Sequence, residues 1–190
     1  MNERRKTRRR LLVASGTLLT TGLAGCIGED PGADDPYLGD PEPYVEVRLE
    51  GPGTDASVDP PVVHLVDGGT VEWVADGETH DATAYHPDTH GDQQRIPDGA
   101  DPWESGPLSS EDSFDLVLDV EGVYDYVCTR HEGDGMVGSI VVGWPDPNEA
   151  LALEPPDDDR PEAAIAALEE RNERVRSMLE EEHDDSVTLP

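Results

Sequence analysis

Residues 124–143 read YDYVCTRHEGDGMVGSIVVG, and one short connection in this stretch carries three soft metal donors. Cys128 offers a thiol, His131 an imidazole and Met136 a thioether, spaced Cys-x2-His-x4-Met. A fourth donor has to come from elsewhere, and His80 stands out. It opens a short strand just after the turn that follows Trp73, and in a sandwich the start of a strand can meet a loop joining two later strands. Two histidines, one cysteine and a weak methionine form the donor set of a one-electron copper site. The cysteine would bind as thiolate and delocalise the transferred electron. Imidazole suits both Cu(I) and Cu(II), and the thioether tunes the potential. Other readings exist for these residues. Cys128 could be a small buried hydrophobe. Structural zinc sites use Cys and His, and methionine serves zinc poorly. A dinuclear copper centre needs two loop cysteines, and the loop has one.

The elements around these residues alternate with period two. Val45, Val47 and Leu49 share one face against Glu46, Arg48 and Glu50. VVHLV (62–66) and TVEWVA (70–75) flank a DGG turn. Phe114, Leu116, Leu118 and Val120 alternate again, and GVYDYVC (122–128) and GSIVVG (138–143) complete the set. Short alternating strands broken by Gly, Pro and Asp predict an all-β antiparallel sandwich or barrel. Residues 86–107 are too polar and turn-rich for a strand, and a loop of that length is functional or mobile in a compact domain, with acidic decoration as the bland alternative. Trp103 is its expected packing anchor. His86 and His90 sit there. If the strand continued from His80 at ~3.3 Å per residue, His86 would lie ~20 Å from it, so the two read as surface histidines, with metal capture in the loop left open. His64 reads as a partly buried strand residue and His183 as solvated.

The stretch Cys128-x2-His131-x4-Met136, preceded by Tyr-x-Tyr-x and followed by Gly-x-Ile-Val-Val, resembles the ligand loop of plastocyanin-like cupredoxins, the type 1 blue copper proteins. It is also similar to that of the archaeal halocyanins, which are lipid-anchored. The resemblance covers about residues 62–143. It implies a Greek-key β-sandwich with His80, Cys128, His131 and Met136 as ligands of a single type 1 copper. It also implies that the second loop histidine lies near the surface and passes electrons to partners. Two residues depart from the family pattern. Asp81 follows His80 where Asn, which ties the ligand loops together, is common. Arg130 precedes His131 where a stiffening Pro is common. Neither is a ligand; both bear on the potential and on loop rigidity.

The rest of the chain places this domain. The formal charge is −31 from 13 basic and 44 acidic residues. Six of the basic residues lie in the first ten positions, and Glu3 is the one acid before residue 26. Seven basic residues then stand against 43 acidic ones, none of the seven is lysine, and the net charge is −36. Molar salt, with a Debye length of ~3 Å, would screen that repulsion, so the composition points to a halophilic source. It also excludes nucleic acid as a partner. Residues 1–26 have a cationic start, an uncharged run and a small-residue end. Thr7-Arg8-Arg9-Arg10-Leu11-Leu12 resembles a twin-arginine export signal, and Leu23-Ala24-Gly25-Cys26 resembles a lipobox with Cys26 as the lipidated residue. Residues 27–43 read as an acidic Gly/Pro tether, 44–145 as the domain and 146–160 as a Pro/Asp-rich linker. Residues 161–182 read as an acidic amphipathic helix outside the core, and 183–190 as a tail. Ile165, Leu168, Val175 and Leu179 make a narrow apolar stripe, which would fold back on the domain or pair weakly with something else.

Taken together, these features predict a monomeric, lipid-anchored, outward-facing electron carrier exported to the cell membrane. It would cycle one copper between membrane or peripheral redox proteins and would not be an enzyme. The alternative is a copper capture or delivery protein with the same ligands. A third reading is a redox domain serving one fixed partner through its C-terminal helix.

Overall fold

The structure is a computed structural model and describes residues 38–187, with side chains through residue 182. Seven strands precede one helix: β1 (Glu42–Glu50), β2 (Ser57–Asp59), β3 (Val62–Ala75), β4 (Thr83–Ala84), β5 (Ser113–Leu118), β6 (Gly122–Val127), β7 (Val137–Val142) and α1 (Glu162–Val187). Alternation decides the facing where it is cleanest. Val45, Val47 and Leu49 of β1 enter the core while Tyr44, Glu46 and Arg48 face solvent.

Two expectations about the strands are corrected. DGG is not a reversal between separate strands, because β3 runs unbroken through it. Its first half, Val62–Leu65, pairs with β7, while Gly69–Val74 pairs with β5 and Thr70–Ala75 with β1. A hairpin would have paired the two halves with each other. Here each half needs different neighbours, and the glycine pair lets one strand bend between them. Gly68 takes a left-handed φ of 73°. A Cβ on Gly69 would lie 2.8 Å from the Val66 carbonyl oxygen. The sheet is also mixed rather than antiparallel, since β1–β3 and β3–β7 are parallel. Its order is β2-β1-β3-β7-β6-β4, with β5 also on β3.

The main core lies between the inward faces of these strands, with Trp73 near its middle. The Trp73 ring meets Phe114 and Trp103 at 5.7 Å and Tyr126 edge-on at 5.1 Å. Trp103 is therefore the anchor of the long loop. That loop runs as an irregular edge along the β4 segment, with Ala84 N–H donating to Trp103 O and Ser105 N–H to Ala82 O.

Both β6 and β7 are buried on both faces, every residue of each. Tyr124, Tyr126 and Ile140 point into the main core. Val123, Val127, Val137 and Val141 point the other way, under α1 and the segment before it. The helix contributes nothing to the main cluster. It closes two smaller ones with Ala164, Leu168, Val175 and Leu179. Ala164 takes the place expected of Ile165, which is half-buried one residue further round the helix. The residues read as a linker are a packed strap. Ala152 and Leu153 are buried on β6 and β7. Arg95, fully buried in the long loop, binds this strap to the sheet. Its Nε donates to Asp125 Oδ2 at 2.8 Å and its guanidinium also donates to the carbonyls of Ala152 and Glu154. Burial pushes the Asp125 carboxyl up, and Arg95 and Ser139 pull it back.

Candidate metal centre

The connection between β6 and β7 closes on itself through backbone bonds. Cys128 N–H donates to Met136 O at 3.0 Å, His131 N–H to Cys128 O at 2.9 Å, and Met136 N–H to His131 O at 3.1 Å. Gly135, at φ 81°, supplies the left-handed residue that ends the short 3-10 turn Glu132–Asp134. These bonds put the Cys128 and His131 side chains on one side of the loop. His80 arrives from the opposite segment, held by two backbone bonds to Leu108 and fully buried.

Three of the four predicted donors converge. His131 Nδ1 lies 3.4 Å from Cys128 Sγ and His80 Nδ1 lies 3.8 Å from it. One ligand atom from each of the three falls within 4.8 Å of the others. Metal bonds of about 2.0 Å to nitrogen and 2.3 Å to sulfur at tetrahedral to trigonal angles place such a pair about 3.5–3.7 Å apart, so the two nitrogen–sulfur distances fit one shared ion. Met136 is buried in the same cluster as Cys128 and bound to the loop through both backbone groups. Burial, followed by the neighbouring His131, pushes the His80 imidazole below its ordinary value, which keeps its lone pair free for a metal. Burial pushes the Cys128 thiol up. The thiolate therefore needs a cation beside it, and metal binding would release the proton.

Asp81 joins the two ligand-bearing segments. Its Oδ1 accepts from Thr129 N–H at 3.1 Å and from the Thr83 hydroxyl at 2.9 Å. Its Oδ2 accepts from the Thr129 hydroxyl at 2.8 Å and lies 3.8 Å from Cys128 Sγ. The tie expected of an asparagine is thus made by a carboxylate.

The remaining histidines stay apart from the donor group. His64 bridges Gly39 O and Gly143 O at 2.9 and 2.7 Å. His86 approaches Asp88, and His90 meets Glu132. Both are half-buried rather than surface residues. The His183 side chain and Cys26, with its signal context, lie outside the described residues. The sequence alone does not single out Glu132. Its one pointer there is adjacency to His131.

A bent sheet with an inward cluster of two imidazoles and a thiol defines a copper-protein class of β-sandwich. The chain belongs to the copper-binding plastocyanin/azurin family, which matches residues 45–143. It is 28% identical over 100 residues to a putative pseudoazurin of Rhizobium leguminosarum bv. viciae, covering 52% of this chain and 59% of that one. It is 31% identical over 100 residues to halocyanin of Natronomonas pharaonis, covering 50% and 55%. The chain thus spans less than two thirds of these relatives. A Sinorhizobium pseudoazurin structure superposes with a TM-score of 0.57 at 27% identity, over 71% of this chain and 98% of its own. The expected cupredoxin fold is the one observed, copper is the cofactor, and electron carriage is the class of activity the family implies.

Proposed function

We propose that the chain is a single-copper electron carrier with His80, Cys128, His131 and Met136 as ligands. One observation carries this reading: His80 Nδ1, Cys128 Sγ and His131 Nδ1 converge in a buried pocket. Bound copper supplies a reversible one-electron couple. The protein's own residues do the rest. The sheet and the loop bonds hold the donors at one spacing, so little rearrangement accompanies the electron. Burial excludes water from the donors. His131, the less buried of the two imidazoles, lies nearest to solvent and serves as the electron's exit. A ligand set closed by four side chains leaves no coordination position for a substrate, so the chain is a carrier and not an enzyme.

The carrier is exported by the twin-arginine route, held at the outer face of the cell membrane by a lipid on Cys26, and exchanges electrons with membrane or peripheral redox proteins as a monomer. The support is the order of residues 7–26 and the tether that follows. No helix among the described residues is long and apolar enough to cross a membrane. The acidic surface suits molar salt.

The deciding experiment is the visible spectrum of the copper-loaded chain in molar KCl. The expected result is an intense thiolate-to-copper band that bleaches reversibly on reduction and vanishes in Cys128→Ser. A colourless complex, or copper lost to a Cu(I) chelator on each reduction, would favour copper capture or delivery instead.

A further inference from the structure

Three separate segments converge on the carboxylate next to His131. The Tyr85 hydroxyl donates to Glu132 Oε1 at 2.9 Å. His90 Nε2 lies 2.8 Å from Oε2, and Arg160 Nη1 lies 3.7 Å from Oε1. Tyr85 follows β4, His90 belongs to the long loop, and Arg160 ends the strap before α1. The partners also hold one another. The Arg160 guanidinium stacks 4.0 Å above the Tyr85 ring and is itself buried. A Cβ on Gly91, next to His90, would lie 3.0 Å from Arg160 Nη1.

The start of α1 closes the other side of the same loop. A Cβ on Gly135 would lie 3.0 Å from the Ala163 carbonyl oxygen, so the first helical turn rests closely on the ligand loop. Ala164 and Leu168 pack with Val127 and Val137, the residues just before Cys128 and just after Met136. The loop is therefore gripped at both ends and at its middle by parts of the chain that supply no donor.

We propose that Glu132 is a positioning residue for His131, and that the strap locks the ligand loop through it while α1 packs on the rest of the loop. This rests on reading His131 as a ligand. The lock keeps the imidazole aimed inward whether or not copper is bound, and in either oxidation state. It gives the long loop, the strap and the helix one shared role at the site. The partners are a hydroxyl, an imidazole and a cationic guanidinium, and removing the acceptor would leave the buried Tyr85 hydroxyl and Arg160 guanidinium without it, a change large enough to free the loop.

Two readouts on the full chain test this in molar KCl. The first is the rate at which the reduced copper form yields metal to a Cu(I) chelator. The second is amide hydrogen exchange of the metal-free chain at Asp134, Gly135 and Met136, whose N–H bonds close the loop. Glu132→Ala is expected to raise both rates at least about tenfold, with β1 and β3 unchanged. Glu132→Gln, which keeps an acceptor oxygen for Tyr85, should stay within about threefold of the parent. Arg160→Gln, which unhooks the strap, should fall between the two. Equal rates in the parent and Glu132→Ala would overturn the proposal. So would faster exchange spread evenly over the sheet, because that signals general destabilisation. If the parent binds no copper, the ligand reading fails, while the exchange measurement still decides whether Glu132 locks the loop.

Discussion

Two carboxylates hold the ligand loop, and they do different work. Asp81 sits on the inside, one residue from His80, and its oxygen and nitrogen donors come from Thr83 and Thr129. It lies 3.8 Å from the sulfur, with no cation among its hydrogen-bond partners. Glu132 sits on the outside, one residue from His131, and its partners come from three distant segments, Arg160 among them. Asp81 therefore places uncompensated charge beside the donors. Glu132 couples the loop to the C-terminal extension with its charge largely balanced, and it pushes the His90 imidazole up in doing so. The lesson is that both acids tie the loop, but the unbalanced charge beside the donors falls to Asp81 and the coupling to the C-terminal extension falls to Glu132.

The largest effect should come from breaking the outer grip at its seat. Leu168 is fully buried against Tyr85, Val127 and Val137. Leu168→Ala should cost about 2–5 kcal/mol, read from urea unfolding in molar KCl. The inner tie through Asp81 and Thr129 stays intact, so the visible band should keep its position. A shifted band with unchanged stability would mean that the helix tunes the metal rather than supporting the loop.

A smaller effect should come from removing the inner charge. Asp81→Asn keeps an acceptor for Thr129 N–H and removes a negative charge near the sulfur. Negative charge favours the more positive oxidised state, so its loss raises the reduction potential. A charge about 5 Å away at an effective dielectric of about 20 sets the scale, which is a rise on the order of 100 mV. Glu132→Gln should move the potential by less than half as much, because Arg160 already offsets that charge. Voltammetry on the two variants checks the contrast. Equal shifts would erase the distinction between the two acids.

The legibility of these parts differs for physical reasons. The donor group could be read because three of its residues are local in sequence and the fourth opens a strand. Asp81 could be flagged because it stands where the resembling family commonly has Asn. Glu132 offers only its adjacency to His131, since its partners lie at positions 85, 90 and 160, remote in sequence. Alternation found the strands, yet it could not reveal that 62–66 and 70–75 are one bent strand, because pairing is decided by partners remote in sequence. The helical stripe was visible, but its register slipped from Ile165 to Ala164, where close approach to the sheet selects the smaller side chain. Prolines at 145, 147, 155 and 156 suggested a loose linker, whereas buried Arg95 fastens that stretch down.

The smallest effect expected is a lack of response, and it isolates the inner charge from the acidic surface. Raising KCl from about 0.1 M to 1 M shortens the Debye length from about 10 Å to about 3 Å. Exposed carboxylates, such as those of Glu46 and Asp115, are screened by that change, so the melting temperature of the whole chain should climb with salt. Asp81 is buried within its own hydrogen bonds and is reached by little counterion. The potential difference between Asp81→Asn and the parent should therefore change by no more than about a fifth over the same range, while each absolute potential drifts. Voltammetry across the salt series checks this. A difference that collapses with KCl would show that water and ions reach the inner carboxylate, and the two acids would then differ in position alone.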